Sequence, residues 1–309
     1  MRNEQGFLLP DFLIIGAGKS GTTSLDFYLN QHPAIFMPEV KEPNFFGYEA
    51  HSMTDFKDEE TREHFKNSIT DFVSYVSLFK GAEKSQLIGE ISNTTVYMPE
   101  ALKAVKKYLP DAKLIAILRQ PAERLFSRYT HLLRVNKVPT EHFEEDIFDK
   151  GTIWWSRADL VQEGFYAKHL SKYYENFPAE NIKILLFEDL MQDAEGTMDQ
   201  ITQFLGLASF EFEMGTQFNK SGKIKNRSIN KLLGHDSVII KSLKSIIPGV
   251  YKGIKENTAL KKLVENLRSK NIEKVKLSVE LKKKITQEIY NEDIQKLEKL
   301  IQKDLSHWK

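Results

Sequence analysis

The sequence contains no cysteine. Disulfides, zinc–thiolate sites and thiol nucleophiles are therefore excluded. It also lacks an excess of either charge: 44 Lys and Arg stand against 43 Asp and Glu, a formal net charge of +1. No global field recruits nucleic acid. No apolar run approaches the roughly 20 residues of a membrane-spanning helix, and Met1 to Pro10 has no apolar core of the kind a secretory leader needs. A cytoplasmic protein without a transmembrane segment is the expectation. No H-x-x-H pair and no carboxylate cluster has metal-ligand spacing, and no internal repeat or low-complexity linker occurs. What is there is 309 residues of ordinary globular composition, 41% hydrophobic and 28% charged. That length suits one large α/β domain, or one domain with a helical extension.

The charge is unevenly placed. Residues 231 to 309 hold 17 Lys and one Arg against 10 acidic residues, a balance of +8 that leaves −7 for the first 230. Apolar residues recur there at helical spacing, through Leu260, Leu263 and Leu267, then Ile285 and Ile289, then Ile294, Leu297, Leu300 and Ile301. Lysines between such helices usually form a solvated face.

The chain is organised around Phe12-Leu-Ile-Ile-Gly-Ala-Gly-Lys-Ser-Gly-Thr-Thr-Ser24. Phe12 to Gly16 is a short apolar run of the kind a buried strand shows. A glycine- and hydroxyl-rich turn follows, then a helix from Leu25. Strand, tight turn and helix N-terminus hold phosphate, because glycines admit the anion and free N–H groups face it. Gly16 and Gly21 have Walker A spacing, but Thr22 stands where that loop needs lysine, and the lysine comes earlier, at Lys19. This argues against an ordinary Mg-dependent nucleotide triphosphatase. Gly16, Gly18 and Gly21 match G-x-G-x-x-G formally, without the rest of a dinucleotide unit.

This stretch resembles the 5′-phosphosulfate loop, G-x-x-K-[ST]-G-T-[ST], of sulfotransferases that use 3′-phosphoadenosine 5′-phosphosulfate (PAPS), in the bacterial and heparan-sulfate-type branch. Further motifs follow in that family's order. Lys41-Glu-Pro-Asn-Phe-Phe46 is similar to K-E-P-x-F-F, in which the glutamate is the general base; the resemblance puts that role on Glu42. Read without it, Glu42 pairs with Lys41 or another cation. Gly89-Glu-Ile-Ser92 resembles G-E-x-[ST], with Ile91 where heparan-type members carry an assisting lysine; Glu90 and Ser92 stand either near the sulfuryl group or in the scaffold. Ile117-Leu-Arg-Gln-Pro-Ala-Glu-Arg-Leu-Phe-Ser-Arg-Tyr129 resembles the 3′-phosphate motif L-R-x-P-x-x-R-x-x-S-x-[YW]. Arg119, just past the best strand of the chain, Lys113 to Leu118, has the planar fork that phosphate binding uses, and Ser127 adds a hydroxyl. Arg124 and Arg128 read as helix-surface ion-pair residues.

Gly164-Phe-Tyr-Ala-Lys-His-Leu170 resembles G-x-Y-x-x-H-L and opens a helix; Tyr166 borders the cofactor or packs. Ile182 to Leu190 reads as a buried strand, treated as scaffold. Phe218-Asn-Lys-Ser-Gly-Lys-Ile-Lys-Asn-Arg227 resembles the nucleotide-wrapping loop of bacterial members, with Ser221, Gly222 and Lys225 as the positions carried over. Residues 34 to 46, with three prolines between 33 and 43, read as an irregular substrate-facing loop. Residues 47 to 86 read as a lid with two helical pieces, 58–66 and 69–79. Trp154 and Trp155 face a sugar or, more commonly, the core.

The resemblance implies a P-loop-like three-layer α/β fold with a central, mainly parallel sheet and C-terminal helices: one domain, with a core over 11–230 and a basic helical extension over 231–309. Gly18, Lys19, Ser20, Gly21, Thr22 and Thr23 would hold the phosphosulfate, Lys19 neutralising charge as sulfur leaves, and Arg119 and Ser127 the 3′-phosphate. Glu42 would deprotonate an acceptor hydroxyl or amine, with His131 in reserve as base. PAPS would be the co-substrate, adenosine 3′,5′-bisphosphate the product, and no metal would take part. The acceptor expected is a glycan; a lipid or polyketide hydroxyl is the alternative. A P-loop kinase or triphosphatase, or a non-catalytic binding module, is the rival class.

Overall fold

In a computed structural model of the chain, the described residues are 6–135, 137–214 and 276–309, with the backbone of two short strands, Lys223–Ile224 and Ile272–Glu273. The chain divides into two compact units: Met1–Phe126 with Pro139–Phe218 and Ser278–Lys309, and Ser127–Val138 with Asn219–Leu277.

The first unit is built on a five-stranded sheet. Its strands are β1 (Phe12–Gly16), β2 (Ile35–Phe36), β3 (Leu87–Ile91), β4 (Lys113–Leu118) and β5 (Ile182–Leu186), in the order β2-β3-β1-β4-β5. Every pairing is parallel; Phe12 lies opposite both Gly89 and Lys113, and Leu114 opposite Ile182. Strands covered on both faces need apolar residues at every position rather than alternation. β1 is buried at all five, and its side chains join those of β4, β5 and the following helices in one core.

The helices connect these strands in sequence. α1 (Thr22–Leu29) follows the first turn; α2 (Phe45–Tyr48), α3 (Glu59–Lys66) and α4 (Phe72–Ser77) lie between β2 and β3. α5 (Thr94–Tyr97) and α6 (Ala101–Tyr108) precede β4, and α7 (Pro121–Val135) starts just beyond it. Two single turns, α8 (Phe143–Asp146) and α9 (Ile153–Ser156), and the helix α10 (Tyr166–Asn176) lead to β5. α11 (Phe187–Gln192) and α12 (Ala194–Leu205) come after it, and α13 (Val279–Ile285) and α14 (Asn291–Ile301) near the C-terminus. Among the described residues no helix is long and apolar enough to cross a membrane.

Two expectations change here, and the commoner reading of Trp154 holds. The apolar run from Ile182 ends as a strand at Leu186, and Phe187 to Leu190 is already helical. Glu188 and Asp189 fall in that helix's first turn, where carboxylates are favoured. Residues 34 to 46 are not wholly irregular, since Ile35 and Phe36 pair with Leu87 and Ile88 at the sheet edge. Trp154 is fully buried and its indole N–H donates to the Thr140 hydroxyl at 2.8 Å, which makes it core. Trp155 is half-buried, with its N–H on the Ile147 carbonyl.

The C-terminal helices belong to this first unit. The buried Asp293 carboxylate accepts the N–H groups of Ala167 and Lys168 at 2.9 and 3.0 Å, capping α10. The Gln120 side-chain amide donates to the Thr286 hydroxyl and the Trp308 carbonyl, tying the last residues to the start of α7. Leu260, Leu263 and Leu267 lie outside the described residues. The second unit holds α7 from Ser127 onward and the antiparallel pair β6 (Lys223–Ile224) and β7 (Ile272–Glu273).

The strand order sets the site. β1 sits between β3 and β4, so the chain leaves its carboxyl end where connections diverge to either side. Parallel α/β sheets bind ligands in the crevice at such a point.

Candidate active site

The loop after β1 is shaped by backbone in the left-handed region. Lys19 has φ 67° and Gly21 φ 99°. A Cβ at Gly21 would also meet the Phe187 and Leu190 side chains at 3.0 and 3.1 Å, so the position requires glycine twice over. Gly21 caps α1 without any side-chain hydrogen bond to the helix end. The Ser24 and Leu25 N–H groups donate to the Gly21 carbonyl at 2.9 and 3.2 Å, and no capping side chain takes those of Thr22 and Thr23. Ser20 is fully buried and its hydroxyl has no hydrogen-bond partner among the described residues. A buried donor normally finds a partner. The residues present therefore fit an anion at this turn, with Ser20 and the first turn of α1 as its donors.

Gly18 stands apart from the others. Its N–H donates to Glu163 Oε1 at 2.6 Å, and the other Glu163 oxygen accepts from Arg124 Nη1 at 2.8 Å. Arg124 also reaches the Leu160 carbonyl. Arg124 pairs with an acid, as expected, yet it is fully buried rather than on the helix surface. Glu163 carries no signal in the sequence beyond preceding Gly164. The structure gives it the task of holding the Gly18 peptide, which leaves the cradle to the residues after Gly18.

One side of the cradle is the loop carrying Lys41 and Glu42. Lys41 Nζ donates to Thr23 Oγ1 at 2.8 Å and lies 3.9 Å from Asp26, so it bridges to the first turn of α1. Burial raises the Asp26 carboxyl above its ordinary range and Lys41 opposes that rise. Glu42 has φ 53°, and its Oε1 accepts from Asn93 Nδ2 at 2.7 Å. Asn93 is two residues past β3, so the end of that strand holds the carboxylate expected to act as base. Neither Asn93 nor Lys41 is singled out as a site residue by the motif reading, although Lys41 opens one recognised motif and Asn93 adjoins another.

Glu42 acts electrostatically on a second carboxylate, Glu90. Glu90 is 1% exposed and accepts from the Ser92 hydroxyl. Burial pushes its carboxyl up to about 7; the bonds from Ser92 and Tyr75 oppose this, and the charge of Glu42 adds to it. A raised folded-state value means that Glu90 favours the native state fully below its unfolded value, 4.5, and that this contribution is lost as pH rises through 7. Glu90→Gln is accordingly expected to gain up to about 3 kcal/mol over the wild type between about pH 4.5 and pH 8. Thermal unfolding of both proteins across that range checks the sign. A Gln variant that loses stability relative to wild type as pH rises contradicts it.

On the β4 side, Arg119 follows the last strand residue directly. Its guanidinium lies 4.7 Å from the Phe187 ring centroid and its Nη2 is 3.2 Å from Glu123 Oε2. Its Nε is buried and has no hydrogen-bond partner among the described residues. Tyr166 is fully buried and donates its hydroxyl to the Arg119 carbonyl at 2.9 Å; burial pushes the phenol up. Tyr166 thus acts on the site by fixing the backbone of Arg119. Phe187, read from sequence as scaffold, forms the floor under the guanidinium.

Ser127 and His131 are described within the second unit. Ser127 is buried on α7 and its carbonyl accepts from Thr130 Oγ1. His131 Nδ1 lies 2.9 Å from Arg134 Nη2. Ser221, Gly222 and Lys225 lie outside the described residues.

A glycine-bearing turn and helix N-terminus after the central strand of a parallel sheet place the chain in the P-loop-like α/β class. Residues 10–211 match the sulfotransferase family, and the chain belongs to that family. It is 27% identical over 282 residues to the bifunctional heparan sulfate N-deacetylase/N-sulfotransferase 1 of Caenorhabditis briggsae, covering 85% of this chain and 31% of that protein. It is 29% identical over 219 residues to the human heparan sulfate glucosamine 3-O-sulfotransferase 3B1, covering 69% and 50%. The chain therefore spans half or less of these relatives. Among solved structures, a sulfotransferase from Alicyclobacillus acidocaldarius is 25% identical with a TM-score of 0.67, covering 97% of this chain and 99% of that one.

Proposed function

We propose that this protein transfers a sulfuryl group from PAPS to a hydroxyl or amine of a carbohydrate. The observation that carries the reading is the junction of cradle and base. Lys41 bonds the first turn of α1 while the next residue, Glu42, is held by Asn93 at the end of β3. The Glu42 carboxylate and the start of α1 are thereby tied to the segments that follow β3 and β1. PAPS, when bound, supplies a sulfuryl group on a good leaving phosphate. The protein's part is to hold charge and take a proton. Ser20, the N–H groups of the first turn of α1 and Lys19 face the anionic end, where such donors gain most as charge develops. Arg119 takes the 3′-phosphate. Glu42 accepts the acceptor's proton as that oxygen or nitrogen bonds sulfur and the bond from sulfur to the 5′-phosphate oxygen breaks, its electron pair leaving with the bisphosphate.

A carbohydrate is favoured because the two curated relatives act, by their names, on heparan sulfate. Ile91 in place of the heparan-type lysine points to a glycan other than heparan itself. Incubation with radiolabelled PAPS and a panel of glycans, lipids and polyketide alcohols tests the reading. Label on a glycan supports it; label on a lipid or polyketide alone moves the acceptor class. Mg-dependent ATP turnover without sulfation sinks the reading. A cytoplasmic location belongs to the same proposal, with cell fractionation as its check.

A further inference from the structure

Glu42 enters the site on an unfavourable backbone. Its φ is 53°, and that of Asn44, two residues on, is 56°. Left-handed conformations at residues other than glycine persist only when the surroundings hold them. Here the hold is a chain of hydrogen bonds from the end of β3. The Asn44 N–H donates to Ser92 Oγ at 2.9 Å, the Asn44 Nδ2 donates to the Glu42 carbonyl at 2.7 Å, and the Asn44 Oδ1 accepts from Thr94 Oγ1 at 3.0 Å. The Ser92 hydroxyl in turn donates to Glu90 Oε1, and Tyr75 approaches Glu90 Oε2 at 3.5 Å. Asn44, Glu90, Ser92 and Thr94 are each at most 3% exposed.

We propose that Glu90 and Ser92 are positioning residues for Glu42: Glu90 orients the Ser92 hydroxyl, Ser92 fixes the Asn44 peptide, and Asn44 sets the backbone from which Glu42 projects. The inference rests on Glu42 being the base. The chemistry of a hydroxyl makes Glu90 necessary to it. A serine O–H rotates, and its lone pairs face a given N–H only when the proton is committed elsewhere. Glu90, buried beside it, takes that proton and leaves a lone pair for Asn44. A carboxylate in this place otherwise lacks a structural reason, since burying one costs free energy that an apolar residue would not. Thr94 and Asn93 complete the arrangement from the same segment, one on the Asn44 side chain and one on the Glu42 carboxylate.

The test compares Ser92→Ala, Glu90→Gln, Glu90→Leu and Glu42→Gln in steady-state sulfuryl transfer and in calorimetric titration with adenosine 3′,5′-bisphosphate. A misplacement of the order of 1 Å costs up to about a hundredfold in rate, so Ser92→Ala is expected to lower kcat by about tenfold to a hundredfold. Its affinity for the bisphosphate and its KM for PAPS stay within about twofold of wild type, because the cofactor cradle is untouched. Glu90→Gln keeps an oxygen to accept the Ser92 proton and retains kcat within about threefold, whereas Glu90→Leu falls with Ser92→Ala. A purely structural role would instead lower the folded fraction and leave kcat per folded molecule unchanged. Wild-type kcat in folded Ser92→Ala overturns the proposal, and that variant alone decides if Glu90→Leu does not fold. If Glu42→Gln is inactive while Ser92→Ala is fully active, only the positioning role fails. If Glu42→Gln is itself active, the base reading falls and this inference with it.

Discussion

Glu42→Gln is expected to lower kcat for sulfuryl transfer by about 10²- to 10⁴-fold, the range a positioned general base contributes. Its affinity for adenosine 3′,5′-bisphosphate should not change. Glutamine has nearly the shape of glutamate, and its amide oxygen can still accept from Asn93 Nδ2, which lies 2.7 Å from the native carboxylate. What it cannot do is take a proton at neutral pH. The substitution therefore separates chemistry from placement, which an alanine would confound. Single-turnover transfer from labelled PAPS, with binding measured in parallel, reads the difference. Full activity in Glu42→Gln, together with its loss in His131→Ala, would move the base to His131.

The second large effect concerns Arg119. Arg119→Ala is expected to weaken binding of adenosine 3′,5′-bisphosphate by on the order of a hundredfold, since hydrogen bonds to charged groups contribute about 1.5–3 kcal/mol each. Binding of adenosine 5′-phosphate, which has no 3′-phosphate, should barely change. The side chain is prepared for this task. Phe187 supports its plane at 4.7 Å and Tyr166 fixes its carbonyl. Its present partner can release it, because Glu123 is also held by Lys282 at 2.6 Å. Burial raises the Glu123 carboxyl, but Lys282 and Arg119 lower it by more, so it stays an anion with a second cation to hand. Equal losses for both nucleotides would place Arg119 in the scaffold instead.

The parallel sheet was legible because its strands are buried on both faces. Phe12 to Gly16, Leu87 to Ile91 and Lys113 to Leu118 stand out as largely apolar runs, and each is a strand over those residues. β2 was not legible: two residues at a sheet edge carry no pattern. The end of β5 was hidden because Phe187 and Leu190 continue the apolar run into a helix. At the site, the motifs located the turn, the Lys41-Glu42 loop and Arg119, each of which depends on local sequence. The partners that hold them are distant. Glu163 reaches Gly18 across 145 residues and Asn93 reaches Glu42 across 51. No spacing rule in a single sequence encodes such a pair. Ile91, read as a lost cation, sits beside the two residues that matter for Glu42, and the resemblance left both of those between site and scaffold.

The most direct test of the account is calorimetric titration of the wild type, Lys19→Ala and Arg119→Ala with adenosine 3′,5′-bisphosphate, with Mg-ATP as the comparison ligand. The account predicts tight wild-type binding of the bisphosphate without added metal, weaker binding of Mg-ATP, and loss of bisphosphate affinity in both variants. Preference for Mg-ATP, or bisphosphate binding that survives both substitutions, would contradict it.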